Sequence, residues 1–289
     1  MKLIKMKKFK NIALFFLLAA TALSCEKHVI EYDSTDVTGL AEFQLHYFVP
    51  VVAGAANNIY KIEINGEQYA NSTSPLSTYN AVPSGAVGKF YTTKVGENNI
   101  KLYKGEDLEL VYDQNVTLTA GKQNVFVHDF NKAPIVFDNG FPYESPTTED
   151  TGELEWVKFY NFMYETEGVP TDLKLQYQAQ YIIDNETKEK SDWVNVGQPV
   201  SFGEATDWVP IHVNVSVEIS SGYDRVDYRI RMIDAGGNDL GPLKIMNSSN
   251  NFVDYSDWWT GYIGRRYHHV LSGMRAAKPT TAVRQFTAL

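Results

Sequence analysis

Cysteine is almost missing from this chain: Cys25 is the only one in 289 residues. Internal disulfides, zinc–thiolate sites and a thiol nucleophile in the folded body are therefore excluded together. Basic residues are also scarce, 26 Lys and Arg against 35 Asp and Glu, for a net charge of −9. A surface of that sign repels phosphate backbones, which removes nucleic acid as a partner. Long apolar runs are lacking too. Ile12–Leu23 has 12 residues, and a spanning helix takes about 20. No G-x-S-x-G elbow is present, so the usual setting of a serine nucleophile is absent. What remains is core-forming material, 44% apolar and 13% aromatic residues, on which a disulfide-free fold must rely.

The N-terminus has a definite order. Lys2, Lys5, Lys7, Lys8 and Lys10 precede the apolar run, and Ala22-Leu23-Ser24-Cys25 follows it. A positive start, a short apolar middle and small residues before a cut describe a secretory signal peptide over residues 1–24. Cleavage removes five lysines and no acid, leaving 21 basic against 35 acidic residues and a net charge of −14. Ser24-Cys25 after such a run resembles the lipobox of bacterial lipoproteins. The resemblance implies cleavage before Cys25 and lipid on its thiol and new amino group. It also implies an outer-membrane protein, lipid-anchored on the periplasmic or cell-surface face. Because anionic lipid would repel the body, membrane partnership is expected through the lipid alone, and two or more chains anchor stably where one does not.

Residues 25–39 are polar and acidic without apolar periodicity, as a lipidated tether would be. Glu26, Glu31, Asp33 and Asp36 near the lipidated cysteine resemble the surface-export signal of Bacteroidota lipoproteins. Asp33-Ser34-Thr35 resembles the O-glycosylation motif of the same bacteria.

From Leu40 the apolar period becomes two. Phe43, Leu45, Tyr47 and Val49 alternate with Glu42, Gln44 and His46, which predicts a half-buried strand with the polar set facing water. Asn58–Ile64 reads as a second strand ending at Asn65-Gly66, the strongest hairpin signal in this half. Val87–Val95, Ile100–Tyr103, Leu108–Tyr112, Val116–Thr119 and Asn124–Phe130 follow, with Gly or Asn turns expected between them, at Gly96-Glu97-Asn98-Asn99 and at Asp113–Asn115 among others. Many short strands without a helical period predict an all-β fold of antiparallel sandwiches. Residues 138–152, with two prolines and an acidic cluster, read as a linker. The expected layout is two tandem immunoglobulin-like β-sandwich domains, 40–137 and 153–289.

The second half restarts like the first. Ala41–Tyr47 parallels Leu154–Tyr160, and Gly121–Val127 parallels Gly264–Val270. Glu42 and Gly121 are 79 residues apart and Glu155 and Gly264 are 109 apart, so the second copy holds an insertion of about 30. Leu173–Ile183, Val209–Ser220, Arg225–Ile233 and Leu243–Met246 read as its strands, with an edge strand at Val283–Phe286. A first strand led by an acid, the Asn65-Gly66 turn, the Ala120-Gly121 turn and a closing aromatic strand resemble the domain-of-unknown-function β-sandwich of Bacteroidota lipoproteins. That resemblance implies one or two sandwiches behind a lipobox and carries no catalytic residues. The second copy departs from it in lacking the Asn-Gly turn.

No cofactor, metal site or enzymatic activity is expected. His268-His269 cannot share one ion from a strand, since adjacent side chains point to opposite faces; one is expected inward and one outward. Asp254 and Asp257 offer calcium-compatible oxygens but lack the spacing and glycine of an EF-hand loop. The sharpest feature is Asp254-Tyr255-Ser256-Asp257-Trp258-Trp259, near Tyr262. Adjacent tryptophans cannot both enter one core, so at least one faces outward or covers an edge. Aromatic faces stack on sugar rings while carboxylates bond hydroxyls, which makes these six residues the candidate ligand contacts. The plainer alternative has one tryptophan capping the core and its neighbour packing on the adjoining domain. Trp193 and Trp208 flank another long connection and are weighed in the same way. Three functional classes follow: a non-catalytic binding module for glycan or another envelope protein, a structural or adhesive surface subunit, and a hydrolase using a carboxylate pair.

Overall fold

A central pair of neighbouring strands in each half carries the architecture. In the computed structural model, which describes residues 36–70, 73–84, 88–140, 153–184, 186–213 and 223–288, the fold is all-β. The single short helix among the described residues is a 3-10 turn at Ala55–Asn57, and none is long and apolar enough to cross a membrane. The predicted signal peptide, Cys25 and residues 26–35 of the tether lie outside the described residues.

In the first half the strands are β1 (Leu40–Tyr47), β2 (Ile59–Ile64), β3 (Glu67–Ala70), β4 (Asn80–Val82) and β5 (Tyr91–Lys94). They continue with β6 (Gly96–Lys104), β7 (Glu109–Leu118), β8 (Gly121–Val127) and β9 (Ile135–Asp138). One sheet runs β4-β1-β8-β9 with β5 also on β1, and the facing sheet runs β3-β2-β6-β7. Asn65 and Gly66 both adopt positive φ, 53° and 84°, which turns the β2–β3 hairpin as the Asn-Gly pair favours.

The second half contributes β10 (Leu154–Thr166), β11 (Val169–Pro170), β12 (Lys174–Tyr181), β13 (Val194–Asn195), β14 (Val209–His212) and β15 (Tyr223–Ile233). After these come β16 (Asp239–Pro242), β17 (Lys244–Met246), β18 (Phe252–Asp254), β19 (Ser256–Tyr262), β20 (Arg266–Met274) and β21 (Ala282–Thr287). Its sheets repeat the plan: β11-β10-β20-β21 with β14 on β10, faced by β13-β12-β15-β16 with β19 on β15.

Each half pairs its first strand parallel to its last but one, β1 with β8 and β10 with β20, in the same register. Ala41 sits opposite Gly121. In the second half Trp156 sits opposite Arg266, and two residues earlier Gly264 N–H donates to Leu154 O. The sequence parallels therefore correspond to spatial partners. Each half thus holds one parallel pair, and the remaining named pairings are antiparallel, in keeping with the expected sandwiches. The insertion divides in two. Gly105–Leu108 joins β6 to β7, whereas Asp234–Tyr255 joins β15 to β19 and holds β16, β17 and β18; the connection from β12 to β15 is also longer than that from β2 to β6.

Two expected turns are strand instead. Gly96–Asn99 opens β6, where buried Asn98 donates its amide to Lys94 O and Gly96 O and so satisfies carbonyls at the bend. Asp113–Asn115 lies inside β7, where Asp113 and Asn115 both accept from the Asn99 amide.

Three apolar clusters result. Phe43, Leu45, Tyr47, Ile62, Leu102 and Val125 fill the first sandwich. Phe159, Tyr177, Tyr228, Ile230, Trp259 and Leu271 fill the second. The third takes Phe48 and Phe126 from one half and Tyr160, Phe162 and Phe286 from the other. This seam corrects the expected solvent face of β1: Gln44 and His46 are completely buried. Side chains of the second half supply the cover on this face. The His46 ring stacks on Phe126 at 4.3 Å and meets Phe286 edge-on at 5.1 Å. Phe126 stacks in turn on Phe162 at 4.9 Å.

A polar chain runs through the seam, as buried polar groups require partners. His46 Nε2 pairs with Asn124 Oδ1 at 3.1 Å, and Asn124 Nδ2 donates to Asn139 Oδ1 at 3.2 Å. His268 Nε2 donates to the same Asn139 oxygen at 3.0 Å, and Tyr160 O–H donates to His268 Nδ1 at 2.8 Å. His268 and His269 do face opposite ways, but both are buried. The expected outward histidine meets the first half rather than water, while His269 bonds Tyr177 in the second core. Of the expected linker, residues 141–152 lie outside the described residues. Asp138 closes β9, and Asn139 accepts Trp208 Nε1–H at its carbonyl.

Candidate functional site

The aromatic run Tyr255–Tyr262 mostly forms β19, an added strand on β15 rather than a loop. Strand alternation therefore separates its residues by role. Trp259 turns inward and is 4% exposed. It lies against Tyr177 and Tyr228, and its indole N–H donates to Glu155 Oε1 at 2.7 Å. Glu155, buried on β10, also accepts Tyr262 N–H at 2.9 Å. Gly261 admits this carboxylate, because a Cβ there would lie 3.0 Å from both of its oxygens. Tyr255 is likewise buried, its hydroxyl sharing a hydrogen bond with Tyr228 and accepting from Val283 N–H. Burial pushes both tyrosine hydroxyls above their ordinary range.

Trp258 turns outward and is 49% exposed, with the Arg225 guanidinium 4.8 Å from its ring centre. Tyr262 is exposed, with Arg265 6.0 Å from its ring. Asp254 pairs with Lys244 at 3.6 Å, and Asp257 accepts Trp258 N–H. Of the six expected contacts, then, Tyr255 and Trp259 serve the core. Asp254, Asp257, Trp258 and Tyr262 reach the surface.

Around Trp258 the structure assembles residues that are distant in sequence. On β15, Val226, Tyr228 and Ile230 point into the core, so Arg225, Asp227, Arg229 and Arg231 share the outer face. Register aligns Gln180, Asp227 and Trp258 in one cross-strand row and Gln178, Arg229 and Ser256 in the next. Trp193, just before β13, closes over the same face with Arg229 4.4 Å from its ring centre. Trp193 and Trp258 line one open groove of about 310 Å³ together with Gln180, Lys190, Asp227 and Ser256.

Electrostatics at the groove are largely paired. Asp227 accepts from Lys190 and, at 2.9 Å, from Arg225 Nε. Burial pulls its carboxyl upward, but these two cations outweigh it and hold the group below the ordinary carboxylate range. Arg231 pairs with Asp239 at 2.6 Å. Among the described residues no group of three or more His, Cys, Asp or Glu side chains could hold a metal ion.

Sequence reasoning reached Trp258 and noted Trp193, but it missed the β15 face between them. The signal was available in Arg225-Val226-Asp227-Tyr228-Arg229-Ile230-Arg231, a strict alternation of charged and apolar residues. Such alternation marks one wet and one dry face.

No protein-family model and no curated protein matches the chain. Among solved structures it is loosely similar to a "putative cell adhesion protein" from Bacteroides uniformis. The match has 10% identity over 88% of this chain and 98% of that one, with a TM-score of 0.20. A likeness that loose supports no statement about role.

Proposed function

We propose that this chain is a non-catalytic outer-membrane lipoprotein, anchored by lipid on Cys25, whose second half binds saccharide on the outer face of the β12–β15–β19 sheet. One observation carries the reading. Trp193 and Trp258 come from separate segments to line a single open groove whose other walls include the Gln180 amide, the Ser256 hydroxyl and the paired charges of Lys190, Arg225 and Asp227. Sugar rings present apolar faces that stack on indole and hydroxyls that bond Gln, Ser and Asp, so a mixed surface of this kind suits them. Lipid anchoring rests on the Lys-rich start, the short apolar run and Ser24-Cys25.

The test is a glycan array probed with purified full-length protein, followed by titration of any hit with tryptophan fluorescence as the readout. Binding should be lost in Trp258→Ala without a change of fold. If no saccharide binds and a pulldown instead returns one envelope protein, the saccharide reading fails. For the anchor, Cys25→Ala should leave the protein unprocessed or soluble; membrane partition after normal processing would overturn it.

A further inference from the structure

Arg229, against Trp193 at the edge of the groove, differs from the cations nearest to it. Lys190 and Arg225 share Asp227, and Arg231 has Asp239. Arg229 has no carboxylate within ion-pair distance among the described residues; its Nε donates to the neutral Gln178 Oε1 at 2.7 Å. Its strand neighbours across the sheet, Gln178 and Ser256, are both uncharged. The planar guanidinium is held between Trp193, 4.4 Å away, and the Gln178 amide. Its Nη donors are therefore pre-oriented at little further entropic cost. Burial and the nearby Arg231 act against its charge and outweigh the more distant Asp239 carboxylate, which favours it. Along one face of a strand, side chains two residues apart are about 7 Å apart. Arg229 thus stands roughly one sugar ring beyond the Asp227–Trp258 row.

We propose that the ligand of this groove is an acidic saccharide, its ring lying on the exposed tryptophan and its carboxylate or sulfate taken by the free fork of Arg229. This rests on the saccharide reading above and narrows it to a chemical class. A guanidinium fork matches both anions in bidentate geometry. The rest of the molecule is net negative, so anion recognition must come from this local cation, within about a Debye length of 10 Å at moderate salt.

The experiment uses full-length protein on an array of neutral, carboxylated and sulfated saccharides. The strongest hit is then titrated beside its neutralised counterpart, the methyl ester or the desulfated sugar. Hits should fall in the acidic classes, and neutralisation should weaken binding at least tenfold. Arg229→Gln should abolish that difference while retaining the weaker binding, and Arg229→Lys should restore only part of it. Unchanged thermal midpoints in both variants show that the fold is intact. Preference for carboxylate or for sulfate supports the proposal equally and identifies the anion. Neutral hits that are lost in Trp258→Ala, with no gain from an acidic group, overturn this inference and leave the saccharide reading standing. No hits, or hits that survive Trp258→Ala, overturn both.

Discussion

The two halves share a strand plan and differ in what their outer sheets present. On the first half, Lys101 on the central strand faces Glu63 on one side and Asp113 on the other. Lys61 pairs with Glu63 at 2.6 Å, and Tyr103 O–H donates to the same acid at 2.8 Å. On the second half the corresponding strand offers Arg229 between Gln178 and Ser256. All five tryptophans lie in the second half as well. The first sheet is thus a solvated surface with its charges closed on themselves. The second keeps exposed aromatic faces and, at its centre, a cation without an ion pair among the described residues, Arg229. That contrast is what the proposed binding role depends on.

The largest expected effect concerns the buried histidines of the seam and of the second core. Burial lowers His46 and His128 to about 4 and His269 to about 3, and it drives His268 well below its ordinary value. Each is neutral in the fold and titrates near 6.5 when unfolded. Protons therefore bind the unfolded chain first, so stability is complete above pH 6.5 and is lost as pH falls toward 4. The loss is about 1.4 kcal/mol per pH unit for each histidine within its window, or about 2 kcal/mol each by pH 5. Asp227, with its pKa lowered, contributes only below about pH 4 and does not confuse the interval. Urea denaturation at pH 7, 6 and 5 measures the slope. A flat profile would mean that these histidines are not buried neutral groups.

Next in size is the contrast inside the tryptophan pair. Trp259→Ala empties a core position and removes the indole donor to Glu155, so a loss of about 3–5 kcal/mol is expected. Trp258→Ala removes a surface side chain and should stay within about 1 kcal/mol. Chemical denaturation of the two variants decides it. Equal large losses would make both tryptophans core and would remove the platform on which saccharide binding depends.

How much of this was readable beforehand depends on the range of the interaction. Phe43, Leu45 and Tyr47 announce their own strand because alternation is local, and Asn65-Gly66 announces its own turn. Even the repeat was legible, since Leu154 and Gly264 occupy the places of Ala41 and Gly121. Gln44 and His46 looked solvated because nothing local tells that a second sandwich will cover them. Asp113–Asn115 looked like a turn because the amide that bonds two of these side chains, on Asn99, belongs to another strand. The partner of Trp259 is Glu155, 104 residues away, and only the fold brings them together. The groove was half legible for the same reason. Trp258 was conspicuous in its own segment, whereas Arg229 gains meaning only from the uncharged residues that register sets on either side.

The smallest effect on stability is the most discriminating, because it compares the two central cations directly. Lys101→Gln removes a surface ion pair at 3.5 Å, worth about 0–1 kcal/mol, and leaves Glu63 still bonded by Lys61 and Tyr103. Arg229→Gln removes a cation with no ion-pair partner, so its stability change should also be under about 1 kcal/mol. Thermal melts alone would therefore rank the two substitutions as equivalent. Binding should not. Lys101→Gln leaves affinity for an acidic saccharide unchanged, since its charge is already spent on Asp113. Arg229→Gln lowers that affinity at least tenfold, the difference between a satisfied and an unsatisfied cation. Parallel titrations of both variants against one acidic oligosaccharide are sufficient. A loss in Lys101→Gln equal to that in Arg229→Gln would show the effect to be long-range charge rather than local recognition, and the asymmetry between the halves would then have no functional content.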